Sequence, residues 1–565
     1  MRKPPSLIYG LEETPPPLVS AFNGLQHVGL IAINFIYPLL IFRAAGMPLG
    51  LVSGLLSTGI LVLGMGTFLQ VYRLGPVGSG YMCPCTFTAG YLAPSLLAAR
   101  AGGLPLLFGM TLFAGVLETA LAPLLNRLRA IFPPEISGLV VLLIGLSVGI
   151  AGLRLMLAPN VAPVADAEWT VAAVTLATMV GLNVWGKGHI RMLCALIGLV
   201  VGYIAAGVTG LMRGTFAPVS DAAWLGLPLP THLSWSFDAA LTAPFAIAAV
   251  AAALKAAGTI AMCQRMNDAD WVRPEMKTTV GGVLADGAST IVAGLMGGPG
   301  TNTSTPAVGL AAATGVGSRQ VAYAVAIIFV LLSFIPKLSA LLAIMPRAVM
   351  VPALLFAATF IIINGIQVIA SRLLDVRRSL VIGLSMVAGA SADIFPALAA
   401  SAPKALAPLV GSSLALGTVI ALTLNLLFRI GVKRKVSFTI EAPELGSRMA
   451  EEFFAKQGAA WGARPDIIKR ATFAVVQFVE AVAENCAQDR PIVGTATFDE
   501  FNLDVRLEYP GALLEFPDRR PSDREIRESE DGVRRLAGFM LRHNADRVRS
   551  ERANGRSVAQ FHFDH

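Results

Sequence analysis

Lys255 is the only charged side chain in an apolar window of more than twenty residues, within the run AALKAAGT. A charge at that depth costs about 2.5–3.5 kcal/mol on insertion scales, so it marks a pathway or a pair. Three roles are open to it: neutralising an anionic solute, pairing with Asp286, or carrying a proton. Asp286 also stands in an apolar stretch, where a carboxylate can be bonded to backbone N–H groups at a helix start. Gln26 and His27 lie side by side in the first apolar run. His27 can act as a proton relay or be a core residue bonded to a neighbour. Asp393 reads as an interfacial residue. None of these forms a nucleophile–base pair, metal cluster or phosphate loop at informative spacing, so no enzyme, metal or cofactor is implied.

Two segments could hold a solute between such groups. Residues 75–90 read GPVGSGYMCPCTFTAG and residues 297–309 read GGPGTNTSTPAVG. Their broken backbone would leave N–H and C=O groups unpaired in lipid, so they must be buried in protein or line a cavity. In the second, Gly297, Gly298 and Gly300 permit close backbone approach. Thr301, Asn302, Thr303, Ser304 and Thr305 supply short hydrogen-bonding groups. Pro306 suits the first turn of a helix, where its missing N–H costs nothing. The start of such a half-helix turns partial positive charge toward whatever binds there. In the first segment Thr86 and Phe87 offer a hydroxyl and a stacking ring. Cys83-Pro84-Cys85 has no second Cys/His pair nearby and reads as small packed residues.

The elements that must position these groups follow from hydropathy. Of 565 residues, 55% are hydrophobic and 14% charged, against about 25% charged in soluble domains. Charge is sparse over 17–430 and dense beyond, which predicts lipid for the first part and water for the rest. A span needs about 20 apolar residues. The windows 17–42, 50–72, 81–99, 103–125, 135–157, 168–186, 190–212, 242–263, 278–296, 303–317, 319–345, 350–370, 379–399 and 409–430 make fourteen. Basic residues cluster at 2–3, 73, 127–129, 187–191, 265–277, 372–378 and 429–435. The alternate ends hold only Arg43, Arg100, Arg154, Arg213, Arg347 and Lys404. By the positive-inside rule both termini are cytoplasmic and the protein is multi-pass in the inner membrane. The same rule accounts for the net charge of +8, so no nucleic-acid partner is implied. The polar, Pro-rich opening 1–16 is not a cleavable signal peptide. The broken segments occupy the third place in each set of seven windows, and matched interruptions of this kind point to a transporter's midplane site.

These two segments resemble the broken third and tenth spans of the nucleobase–cation symporter-2 family, the xanthine/uracil/ascorbate permeases. Gln26-His27 resembles that family's Gln-His pair, and Gly282-Val283-Leu284-Ala285-Asp286-Gly287 its ninth-span stretch. Pro306-Ala307-Val308-Gly309 with Thr314-Gly315 resembles its signature. The likeness covers about 17–430. It implies a 7+7 inverted repeat forming core and gate domains, with solute bound between the broken spans beside the eighth. Carried over, the substrate contacts are Thr86, Phe87, Lys255, Thr259, Thr303, Ser304, Thr305, Pro306 and Ala307, and Gln26, His27 and Asp286 are coupling or gating residues. The family's eighth-span carboxylate is replaced by Lys255 and its signature Asn by Ala307. Both changes remove groups that would read a neutral base and favour an anion.

Residues 436–565 are expected to form a cytosolic α/β domain. Val436–Ile440 predicts a strand, 443–461 and 466–487 amphipathic helices, and 494–499, 502–509 and 557–563 further strands. It resembles the ATPase fold of anti-sigma-factor serine kinases. The magnesium-binding Asn is ambiguous between Glu484 and Asn485, and Tyr509-Pro510-Gly511-Ala512 stands where an Asp-Gly-x-Gly loop belongs. A degenerate regulatory domain with a cytosolic partner is the expectation. The whole predicts a permease for a nucleobase-like or related anionic solute, coupled to protons, whose partners are that solute and membrane lipid. Alternatives are an inorganic-anion or carboxylate carrier, and a transporter-derived sensor signalling through the tail. The resemblance leaves a homodimer open.

Overall fold

Apolar runs punctuated by Gly and Pro become helices that end where those residues fall. In the computed structural model, residues 2–564 are described except 126–131, 158–164, 231–233, 272–273, 372–373, 396, 404–405, 429–433, 441–442, 462, 464, 484–490, 499–501, 523–524, 527–531 and 554. The basic positions at 127–129, 273, 372, 404, 429 and 433, and the Glu484/Asn485 alternative, therefore fall outside the described residues. The chain divides into two units, Met1–Ser371 with Leu380–Thr423, and Arg372–Ser379 with Leu424–His565.

The first unit is helical. Its elements are α1 (Pro17–Ile31), α2 (Ile36–Ala44), α3 (Leu49–Tyr72), α4 (Leu92–Leu121), α5 (Pro134–Leu157), α6 (Asp166–Trp185) and α7 (Cys194–Val208). There follow α8 (Thr242–Asn267), α9 (Met276–Met296), α10 (Thr305–Thr314), α11 (Arg319–Ser333), α12 (Pro336–Ala343), α13 (Arg347–Ile369) and, from Leu380 and up to Thr423 respectively, α14 (Val376–Ile394) and α15 (Ser413–Phe428). Among the described residues eight helical stretches are long and apolar enough to cross a membrane, or nine if α11 and α12, bent by 82°, count as one. The predicted windows outnumber them for identifiable reasons. The third and fourth windows run together into Ala89–Leu124, although Gly102 and Gly103 are non-helical between them. The helices α7 and α15 are short, α10 is a ten-residue half-helix, and α14 carries Arg377 and Arg378.

Where the third and tenth windows break, the chain is extended. Cys85–Phe87 (β1) and Thr301–Thr303 (β2) pair antiparallel, with Cys85 opposite Thr303, Thr86 opposite Asn302 and Phe87 opposite Thr301. Their backbone groups, which lipid could not satisfy, satisfy each other. Each strand is followed by one capping hydroxyl and then helix. Thr88 accepts from Gly90 N–H at 3.4 Å, and Ser304 from Ala307 N–H at 3.4 Å. Beneath the pair, α9 lies along α4 at very close range. A Cβ on Gly287 would stand 2.8 Å from Thr119 N, and one on Gly115 2.6 Å from Ile291 N. Small residues at a crossing let two backbones touch.

The second unit contains an antiparallel five-stranded sheet. Its strands are β3 (Arg434–Ile440), β4 (Ile492–Phe498), β5 (Asn502–Tyr509), β6 (Arg547–Ala553) and β7 (Arg556–Asp564), in the order β3-β4-β5-β7-β6. Alternation along β4 and β5 buries Phe498, Leu503, Val505 and Leu507. They join a core with Phe454 and Phe478 from α16 (Pro443–Trp461) and α17 (Pro465–Ala483), and with Leu541 from α18 (Gly532–Asn544). The edge strand β6, RVRSERA, was not expected: its charges give no apolar alternation, and its register on β7 defines it.

Candidate functional site

Lys255 and Thr259 are one turn apart on α8, so they share a face. Lys255 Nζ reaches Thr88 Oγ1 at 3.5 Å, at the start of the helical stretch after β1. Thr259 Oγ1 meets Thr305 Oγ1 at 2.7 Å, at the start of α10 after β2. One face of α8 thus contacts both broken segments. Lys255 is partly exposed while Thr259 is buried. A Cβ built on Gly258 of α8, or on Gly309 of α10, would meet nothing within 4 Å. Thr305 is partly exposed and Pro306 exposed beside it. Among the described residues no carboxylate forms a direct ion pair with Lys255, whose ammonium instead donates to Thr88.

The remaining expected residues divide into two groups. Thr86 is buried but polar-facing. Its Oγ1 accepts from Asn34 Nδ2 at 2.7 Å and donates to the Phe87 carbonyl at 3.2 Å. Phe87, by contrast, is 2% exposed. Its ring meets Phe35 edge-on at 5.6 Å and presses on Gly59, where a Cβ would lie 2.9 Å from Phe87 Cζ. That ring packs the core and offers no open face here. Thr303, Ser304 and Ala307 are buried. Thr303 contributes to β2, Ser304 N–H donates to the Pro84 carbonyl at 2.8 Å, and the Ala307 carbonyl faces His27 Nε2 at 3.2 Å.

His27 is fully buried on α1, with Nδ1 2.7 Å from the Asn23 carbonyl. Both ring nitrogens therefore face carbonyl oxygens. A neutral imidazole can donate to only one of them. His27 ties α1 to α10, and Gln26 is buried beside it. Asp286, 1% exposed, is bound beneath β2. Its Oδ2 accepts from Asn302 Nδ2 at 2.6 Å, and the same amide donates to the Ala252 carbonyl on α8 at 2.9 Å. The carboxyl of Glu118 on α4, itself buried, lies beside Asp286. Asp393 Oδ2 accepts from Ser147 Oγ at 2.5 Å, which makes it a link between α14 and α5.

Four polar residues of this constellation were not singled out for these roles: Asn34, Thr88, Glu118 and the inward-facing Asn302. A signal existed for Glu118, the only ionisable residue in the window 103–125, which is the criterion that identifies Lys255. Cys83 and Cys85 are buried free thiols.

Three comparisons bear on this arrangement. The family model Xan_ur_permease, described as "Permease family", matches residues 19–398. A putative purine permease of Clostridium perfringens is 29% identical over 434 residues, covering 74% of this chain and 92% of that protein. The xanthine permease XanP of Escherichia coli is 28% identical, covering 75% and 94%. The uric acid permease PucJ of Bacillus subtilis is 28% identical, covering 76% and 97%. Among solved structures, the murine Solute Carrier 26 family member A9 anion transporter in its inward-facing state aligns over 76% of this chain and 71% of that one. Its TM-score is 0.53 at 13% identity, a likeness of fold alone.

Proposed function

The chain belongs to the xanthine/uracil permease family, and from that premise we propose that it is a secondary active transporter of a nucleobase-like solute carried in anionic form. Relatives named for purine, xanthine and uric acid support the class of solute. Lys255 supports the charge: its ammonium stands at the capped start of the helical stretch after β1 while Thr259, a turn away, touches the start of α10 after β2. An oxypurine that has lost a proton offers the negative charge and planar acceptors that an ammonium and short hydroxyls can meet. The apolar windows are read as fourteen spans, with α4 split at Gly102–Gly103 and α10 spanning half the bilayer, and with both termini in the cytoplasm. Movement of the segments near 83–87, 255–259 and 300–309 against the rest would alternate access. The C-terminal unit is read as a regulatory domain resembling a degenerate anti-sigma-factor kinase fold.

The test is a thermal-shift series on the purified full chain and on Lys255→Ala, with uracil, xanthine, urate, small carboxylates and inorganic anions. A ligand at 100 times its Kd stabilises the fold by about 2.7 kcal/mol. Urate or xanthinate stabilising the wild type, and not the variant, supports the reading. Stabilisation of both proteins by neutral uracil refutes the anionic part. A response to inorganic anions or carboxylates alone refutes the nucleobase part.

A further inference from the structure

Glu118 is fully buried although it stands in the last turn of α4, and no motif accounts for it. The close crossing of α4 and α9 places it. Gly115 is one turn before it, Gly287 is next to Asp286, and a side chain at either glycine would collide with the opposite helix. The backbones therefore approach until the two carboxyl groups lie side by side. Glu118 Oε1 and Asp286 Oδ1 receive no N–H or O–H donor. The other oxygens do: Asp286 Oδ2 accepts from Asn302 at 2.6 Å, and Glu118 Oε2 from Tyr91 Oη at 3.4 Å.

Two buried carboxylates side by side with no donor between them repel each other, so one of them holds a proton. The pair then carries a single negative charge. The other titratable groups that face it are Lys255 from α8, Tyr91 from the turn before α4, and Cys83 and Cys85 from the broken segment. Of these only Lys255 is positive. It acts electrostatically on both carboxyls without touching either. Empty, the cluster holds one positive and one negative charge. An anion arriving at Lys255 would leave a net negative charge buried among helices, and a second proton on the pair would restore neutrality.

We propose that Glu118 and Asp286 form one proton-binding site, which takes up a proton when an anionic solute binds at Lys255. It rests on the function proposed above for the anion, and adds to it where the coupled proton resides. Nothing but a proton moves: it passes from water to the carboxyl pair, and returns when the anion leaves. Linkage makes the effect reciprocal, so that acid tightens anion binding by the factor by which the anion tightens proton binding.

Two measurements on the full chain test this. The first needs no ligand. Infrared difference spectra between pH 5 and pH 9 should contain a protonated-carboxyl C=O band in the wild type. That band should be lost or displaced in Glu118→Gln, whose amide replaces the shared proton with its own N–H donor. Asp286→Asn is the second variant should the first not fold. An unchanged band in a folded variant overturns the proposal. The second is calorimetric titration with urate in buffers of different ionisation enthalpy. The wild type should take up close to one proton per urate, and its Kd should weaken about tenfold per pH unit on the alkaline limb. In Glu118→Gln uptake should vanish and the Kd should become flat with pH. Equal uptake in both proteins overturns the proposal. If urate fails to bind the wild type at all, the anionic reading of the transporter fails, and the infrared band alone decides whether the pair holds the proton.

Discussion

Asn302 Nδ2 stands 2.6 Å from Asp286 Oδ2 and 2.9 Å from the Ala252 carbonyl, so one amide joins β2, α9 and α8. Both acceptors are buried, and each would lose this donor on truncation. An unmet buried acceptor costs about 1–3 kcal/mol, more when it is charged. Asn302→Ala should therefore lower the thermal unfolding temperature in detergent clearly, even without ligand, and an unchanged midpoint would show that the amide is dispensable. The contrast with Lys255→Ala is instructive. Lys255 is partly exposed and makes one long contact, so its loss should abolish anion-induced stabilisation while lowering the ligand-free midpoint less than Asn302→Ala does. At this scale the sequence was informative wherever a residue contradicted its surroundings. Lys255 and Asp286 stand out as lone charges in apolar runs. Glu118 satisfies the same rule, but lies outside every segment whose composition is abnormal. Asn302 was visible as a hydrogen-bonding residue; its inward direction depends on the β1–β2 register, which no local pattern encodes.

The breaks at 75–90 and 297–309 were legible from glycine, proline and threonine, and so was Pro306 as the second residue of a half-helix capped by Ser304. The pairing of β1 with β2 was not. A three-residue strand is too short to show period-two alternation, and its partner lies more than two hundred residues away. The crossing of α4 and α9 was hidden for a related reason: glycines look alike in sequence whether they touch a backbone or open space. Two substitutions separate the cases. A Cβ on Gly287 would lie 2.4 Å from Thr119 Oγ1 and 2.8 Å from Thr119 N, whereas one on Gly258 meets nothing within 4 Å. Gly287→Ala should destabilise the protein by about 1–3 kcal/mol through overpacking. Gly258→Ala, inside α8, should be neutral or stabilising by up to about 1 kcal/mol. Denaturation midpoints of the two variants check this, and equal losses would contradict the close crossing.

Across the whole first unit, the least anticipated feature is the use made of residues 2–13, whose Pro-rich composition reads only as a polar lead-in. They form a strap over the ends of several helices. The Asp268 carboxylate, just after α8, accepts from Arg2 N–H at 2.9 Å. The Gly315 carbonyl, just after α10, accepts from Ile8 and Tyr9 N–H at 2.7 and 3.0 Å. Arg319 at the start of α11 pairs with Glu12 at 2.9 Å and donates to the Gly80 carbonyl in the broken segment. The strap thus connects α8, α10 and α11, whose Arg319 in turn holds the first broken segment, and each of these connections must lengthen if those elements separate during transport. Acid should weaken it. The Lys3 ammonium, and then Gly10 N–H, hold Glu13 below its usual carboxylate range, and the N–H of Arg2 does the same for Asp268. A carboxylate depressed in the folded state contributes above its unfolded pKa and loses that contribution as pH falls through the folded value. The strap should accordingly be docked at neutral pH and loosen from about pH 4 downward. Hydrogen-exchange protection at Ile8 and Tyr9, corrected for the intrinsic rate, should drop over that interval. Glu13→Gln should reproduce part of the loss at pH 7, because the amide cannot hold the Lys3 charge at 2.7 Å. Protection that stays constant from pH 7 to pH 3 would mean that the backbone bonds to Gly315 alone hold the strap, and that its charges are incidental.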